Sequence, residues 1–187
     1  MAIPIPEFAL IEITKVQGAL RSGLSSAIRW IKPASIHLTL KFLGETPDSK
    51  IFDIVNSIEA ASKEMLSFSL DCSGVGVFPT IRQPKVVWIG LKLQPELLKL
   101  QKEIDNSLIE FGYEQEKREF SPHLSLGRVN SYLKAEEKVF LTGKMKEYLG
   151  SKVTSFSVEE IQLIRSDIKP SGPIYTIQNQ FILQARK

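Results

Sequence analysis

The chain has two histidines, and both stand first in a tetrapeptide of the same form: His37-Leu-Thr-Leu and, 86 residues later, His123-Leu-Ser-Leu. On a strand, residues i and i+2 share a face, so His37 lies beside Thr39 and His123 beside Ser125, while the leucines turn to the opposite face. Two imidazoles facing one cavity suit displacement at phosphorus. A neutral ring takes a proton from water while a protonated ring gives one to the departing oxygen. An unperturbed imidazole pKa of about 6.5 lets both forms coexist near neutrality. Hydroxyl donors from Thr39 and Ser125 follow the negative charge that builds on the non-bridging oxygens. This chemistry calls for no metal and no organic cofactor. With one cysteine and no His-Glu-x-x-His pattern, a zinc site has no marked ligands. A solitary strand histidine is more often structural than catalytic, and only the matched pair turns the reading towards catalysis.

The elements that must carry these residues follow from hydrophobic period. Phe8 to Ile13 read as a strand, followed by a helix that Thr14 and Gln17 open as a capping box, with Val16, Leu20, Leu24 and Ile28 as its stripe. Ser35 to Leu43 alternate as a half-buried strand. Thr46 and Pro47 start a helix with Ile51, Ile54, Val55, Ile58 and Met65 on one face. A strand at Phe68 and Leu70 precedes a Gly- and Pro-containing loop, Ser73 to Pro84, and Lys85 to Leu91 form an apolar strand. Pro95 opens a helix that runs to Phe111 and stops at Gly112. A strand at His123 to Val129, a helix at Lys134 to Tyr148, and terminal strands at Val153 to Ile164 and Ile174 to Leu183 complete the order.

This order repeats. Phe8-Ala-Leu-Ile with its helix matches Val86-Val-Trp-Ile with its own, and each histidine strand leads through a helix to a further strand. Two β-α-β-α-β copies, about 1–84 and 85–187, are too small to hold separate cores, so they are expected to pack as lobes of one domain, 1–187, with both histidines facing a shared cleft.

Composition agrees with a soluble globular protein: of 187 residues 43% are hydrophobic and 24% charged, which excludes disordered and fibrous chains. No apolar stretch is long enough to span a bilayer, and the N-terminus lacks the basic start of a signal peptide, so the expected location is the cytoplasm. The net charge of +3 suits an anionic ligand. Arg82 and Lys85 border the loop before the apolar strand, where RNA contact and plain solubility explain them equally well. Cys72 reads as a small core residue.

The two motifs resemble those of the 2H phosphoesterases, named for paired His-x-(Ser/Thr)-x segments on a duplicated fold. Their surroundings, Trp30-Ile-Lys-Pro-Ala-Ser-Ile-His-Leu-Thr-Leu-Lys-Phe-Leu-Gly44 and Phe120-Ser-Pro-His-Leu-Ser-Leu-Gly-Arg128, are similar to those of the RNA 2′,3′-cyclic phosphodiesterases, historically called 2′-5′ RNA ligases. The likeness continues through Phe78-Pro, Val87-Trp88, Leu163 to Ile168 and Gly172 to Tyr175. It implies a bilobed α+β fold with two largely antiparallel sheets lining a central cleft and helices outside. It also implies hydrolysis of RNA 2′,3′-cyclic phosphate ends, tRNA fragments among them, to 2′-phosphomonoesters by a monomer without a cofactor, with reverse 2′-5′ ligation as the same chemistry run backwards. By that resemblance His123 is the proton acceptor, His37 the proton donor, Thr39 and Ser125 hold the phosphate, and Arg128 adds charge. Arg128 has the wrong strand parity to share a face with His123, so an inward reach needs a bulge near Gly127. Two other readings stay open: an RNA end-binding module without turnover, and a phosphodiesterase for small cyclic nucleotides or 2′-5′ linked oligonucleotides.

Overall fold

The structure is a computed structural model that describes residues 1–24, 27–169 and 172–186. Its strands are β1 (Ala2–Pro4), β2 (Ile28–Trp30), β3 (His37–Thr39), β4 (Phe68–Thr80), β5 (Gln83–Leu91), β6 (His123–Val129), β7 (Lys152–Val158), β8 (Glu160–Lys169) and β9 (Gly172–Ile182). Among the described residues four α-helices accompany them: α1 (Glu7–Arg21), α2 (Ile51–Ser62), α3 (Pro95–Ser107) and α4 (Ala135–Glu147). The strands pair antiparallel in the order β7-β4-β5-β6-β3-β1-β8-β9, with β2 added beside β6. The α+β class and antiparallel pairing are as expected. The two expected sheets, however, are joined into one, because β3 and β6 bond to each other through Leu38 and Leu124. The centre of the sheet therefore consists of the two histidine strands.

Several expected elements differ. Phe8 to Ile13 lie in α1, and the strand before the helix is the short β1. The apolar run is helical because Ala9, Ile13, Val16 and Leu20, three or four apart, make one buried face, and Pro6 sets the helix start. Gln17 is then a mid-helix residue and not part of a capping box. Ser73 to Pro84 are mostly strand: β4 and β5 form a long hairpin with register shifts at Ser73/Val75 and Phe78/Pro79. The bends let glycine and proline sit inside it; Gly74, for example, has φ +72. The segment from Val153 to Ile164 divides at Glu159 into β7 and β8.

α3 starts where expected, with Pro95 in its first turn and Leu97, Leu100 and Ile104 buried, but it ends at Ser107, and a separate 3-10 turn, Ile109–Phe111, leads to Gly112 in the left-handed region at φ +85. Leu38, Leu40, Leu124 and Leu126 all fall at or below 4% exposure within the core. Cys72 is fully buried on β4, and burial pushes its thiol up to about 12. No helix among the described residues is long and apolar enough to cross a membrane.

Candidate active site

The β3–β6 pairing brings the four motif residues together. Leu38 opposite Leu124 in an antiparallel pair sets His37 opposite Ser125 and Thr39 opposite His123, and directly opposed residues project to the same face. His37, Thr39, His123 and Ser125 thus form a four-cornered cluster with the histidines on one diagonal. That diagonal sets their Cα atoms roughly 7–8 Å apart in an antiparallel pair, so both rings border one patch of the same sheet face. All four are half-buried, whereas Leu38 and Leu124, at 1% and 0% exposure, fill the core behind them.

Both rings are oriented in the same way. His37 Nδ1 lies 3.0 Å from the Ser35 carbonyl oxygen, and His123 Nδ1 lies 2.8 Å from that of Ser121. A carbonyl only accepts, so Nδ1 carries the proton in each ring and Nε2 is left to exchange protons. The surrounding aromatics differ. Tyr175 of β9 meets the His37 ring edge-on at 5.3 Å between centroids; Phe78 of β4 meets His123 at 4.8 Å, and Trp88 stands 6.3 Å from it. Trp88 spreads across Gly76 and Gly90, where a Cβ on Gly76 would come within 2.2 Å of its ring. Burial lowers the His37 pKa below the ordinary imidazole value; the Ser35 carbonyl opposes this shift and the nearby N-terminal ammonium adds to it.

Arg128 reaches this face through a bulge on β6. Val87 pairs with Gly127 but Trp88 pairs with Ser125, so Leu126 is the extra residue and parity reverses beyond it. Gln17 of α1 holds the bulge: its buried side-chain amide donates to the Leu126 carbonyl at 2.9 Å and to the Ile31 carbonyl at 2.8 Å. Gly127 is needed where β2 crosses close, since a Cβ there would meet Ile28 Cγ2 at 2.6 Å. Arg128 then stands directly opposite Arg29 of β2. The two line a small cavity of about 140 Å³ with Lys32, Ser35 and the hairpin residues Pro173 and Ile174. Like charges in direct register repel, and no carboxylate among the described residues lines the cavity. An anion is the natural complement. Sequence reasoning missed Arg29, Lys32 and Tyr175 because only the pairing of a three-residue strand and the course of the β8–β9 hairpin bring them here.

Behind the site, Lys41 and Asp105 form a buried ion pair, with side chains 9% and 6% exposed. Lys41 also donates to the Glu114 carbonyl, and Asp105 accepts the Glu116 N–H at 3.0 Å. The pair ties the end of the first histidine strand to the loop that leads into the second.

Comparison with known proteins agrees with this architecture. Residues 12–169 match the sequence pattern of the 2′-5′ RNA ligase superfamily. A protein of Methanothermobacter thermautotrophicus named RNA 2′,3′-cyclic phosphodiesterase is 30% identical over 98% of this chain and 97% of its own. The fold is shared with TT0787 of Thermus thermophilus, at TM-score 0.81 and 23% identity over 100% of this chain and 97% of that one. It is shared too with E. coli LigT complexed with 3′-AMP, at TM-score 0.73 and 23% identity over 97% and 95%. With two matching histidine strands fused at the centre of one sheet and a superfamily match spanning most of its length, the chain belongs to the 2′-5′ RNA ligase superfamily.

Proposed function

We propose that the protein is an RNA 2′,3′-cyclic 3′-phosphodiesterase that opens cyclic phosphate ends to 2′-phosphomonoesters. The observation that carries this reading is the diagonal pair of imidazoles, each with Nδ1 held by a backbone carbonyl and Nε2 free to exchange a proton. His123 Nε2 takes a proton from water as its oxygen bonds to phosphorus. The bond from phosphorus to the 3′ oxygen breaks, and His37 Nε2–H protonates that oxygen. Thr39 and Ser125, at the other two corners, donate to the non-bridging oxygens, where charge gathers. Arg128 and Arg29 supply fixed positive charge beside them. Burial opposes protonation of His37 in the free protein, and the arriving phosphate anion favours it, so substrate binding charges the acid it needs.

The relatives named RNA 2′,3′-cyclic phosphodiesterase and the 3′-AMP complex of LigT support this choice of substrate. In this reading one bilobed domain of two pseudo-repeats acts as a monomer in the cytoplasm on RNA ends, tRNA fragments included, and no step calls on a metal or organic cofactor. With a 5′-hydroxyl replacing water, the same groups run 2′-5′ ligation.

A cyclic-ended oligonucleotide, labelled near its 3′ end, tests the proposal. The expected product is the 2′-monophosphate, with His37→Ala and His123→Ala each lowering kcat by about 10²–10⁴ while leaving the protein folded. A 3′-monophosphate product would reverse the leaving-group assignment. Full activity in either variant would remove the two-histidine mechanism.

A further inference from the structure

Beyond the basic pocket, in the direction that β6 takes away from the histidines, lies a larger cavity of about 670 Å³ between the tip of the β4–β5 hairpin and α4. Ile81 and Arg82 come from the hairpin, Tyr132 from the turn after β6, and Lys138, Val139 and Lys146 from α4. Tyr132 is 79% and Val139 73% exposed, a large apolar surface to leave in water. The tyrosine is nonetheless contacted through its ring. Lys138 Nζ sits 4.0 Å from its ring centroid and donates to the Arg82 carbonyl at 2.9 Å, fastening helix, ring and hairpin together. Three cations line the cavity and, among the described residues, no carboxylate does.

We infer that this cavity is a distal contact site for single-stranded RNA, which grips the strand upstream of its cyclic end. The inference rests on the proposed function and narrows its substrate to RNA of some length. An exposed aromatic beside a basic rim is the combination that single strands use: bases stack on the ring and phosphates meet the cations. Its position supports RNA over another acidic partner. Residues His123, Ser125, Arg128 and Tyr132 succeed one another along one segment, with Arg29 opposite Arg128. At ~3.3 Å per residue β6 carries the chain roughly 20 Å from His123 to Val129, and Tyr132 follows just beyond the strand's end. A strand with its end at His37 and His123 would pass over the paired arginines before reaching Tyr132. A cyclic mononucleotide ends short of it.

The test compares a cyclic-ended decamer with a 2′,3′-cyclic mononucleotide, using wild type, Tyr132→Ala and the double variant Arg82→Ala/Lys146→Ala. Binding of a fluorescent decamer is followed separately by anisotropy. Tyr132→Ala is expected to raise KM and Kd for the decamer about tenfold, with mononucleotide turnover unchanged. The double variant is expected to reduce the dependence of log Kd on log salt by about 0.7 for each phosphate that it no longer neutralises. If decamer binding does not respond to Tyr132→Ala, the cavity serves another partner, such as an acidic peptide, and the inference fails. Equal losses on both substrates would overturn it too, since they would place the effect at the histidines. Wild-type protein that binds the decamer through Tyr132 yet turns over neither substrate would refute the proposed function alone.

Discussion

Asp105→Ala measures how far the site depends on the ion pair behind it. The variant leaves the Lys41 ammonium, on a side chain 9% exposed, with only the Glu114 carbonyl, and it removes the acceptor of the Glu116 N–H. Breaking a buried pair by deleting one partner costs about 3–5 kcal/mol. The orphaned amide belongs to a partly exposed loop that water can reach, so it adds little, and a total of about 4 kcal/mol is expected. That is a large part of the 5–15 kcal/mol or so that holds a typical domain together. Urea unfolding, followed by the fluorescence of Trp30 and Trp88, reads it directly. The double variant Lys41→Met/Asp105→Leu removes both charges and fills their space, and is expected to recover to within about 1 kcal/mol of wild type. A loss below about 1 kcal/mol for Asp105→Ala, the size expected of an exposed pair, would refute the reasoning. So would a double variant as unstable as the single one.

Further outcomes are expected at His37 and at Gln17. In the free protein the His37 imidazole is expected to titrate below about 6.5, because burial disfavours its charge; proton NMR reads this from two histidine signals, assigned with His37→Gln. The corresponding stability is fully present above the unfolded value of about 6.5 and declines as pH falls towards the folded one. Added 2′-AMP should move the signal upward, and a free-state value above 6.5 would contradict the burial argument. Gln17→Leu withdraws the side-chain donor from the Ile31 carbonyl and from the Leu126 carbonyl, which keeps the Ile31 N–H at 2.9 Å. It is expected to cost about 1–3 kcal/mol and to raise KM more than it lowers kcat, since it re-aims Arg128 and leaves the histidines in place. Thermal unfolding and steady-state kinetics check both parts.

The corner formed by the two histidine motifs was legible because its signal is local. An imidazole, a leucine, a hydroxyl residue and a second leucine state which side of a strand each will take, and β3 and β6 obey. The need for a bulge before Arg128 could also be stated in advance, since parity forbids its reach otherwise; that Leu126 is the inserted residue required the pairing with β5. Misreadings arose where one pattern served two structures. Phe8 to Ile13 are apolar enough for a strand, and only the continuation of their spacing through Leu20 marks a helix. The glycines and prolines of Ser73 to Pro84 suggested a loop, whereas Gly76 makes room for the Trp88 ring inside a hairpin. Arg29 and Tyr175 carry no local mark at all. Their relevance comes from contacts 99 and 138 residues away in sequence, with Arg128 and His37.

The seam between the lobes allows no near miss. A one-residue slip of β3 against β6, with β6 held by β5 and β2, would turn His37 and Thr39 into the core and bring Leu38 out beside His123. A two-residue slip would keep every side chain on its proper side but change the distance between the two imidazoles, closing it in one direction and opening it in the other. Closure of this sheet is therefore all or nothing: correct register at its centre and correct spacing of its two imidazoles are the same event.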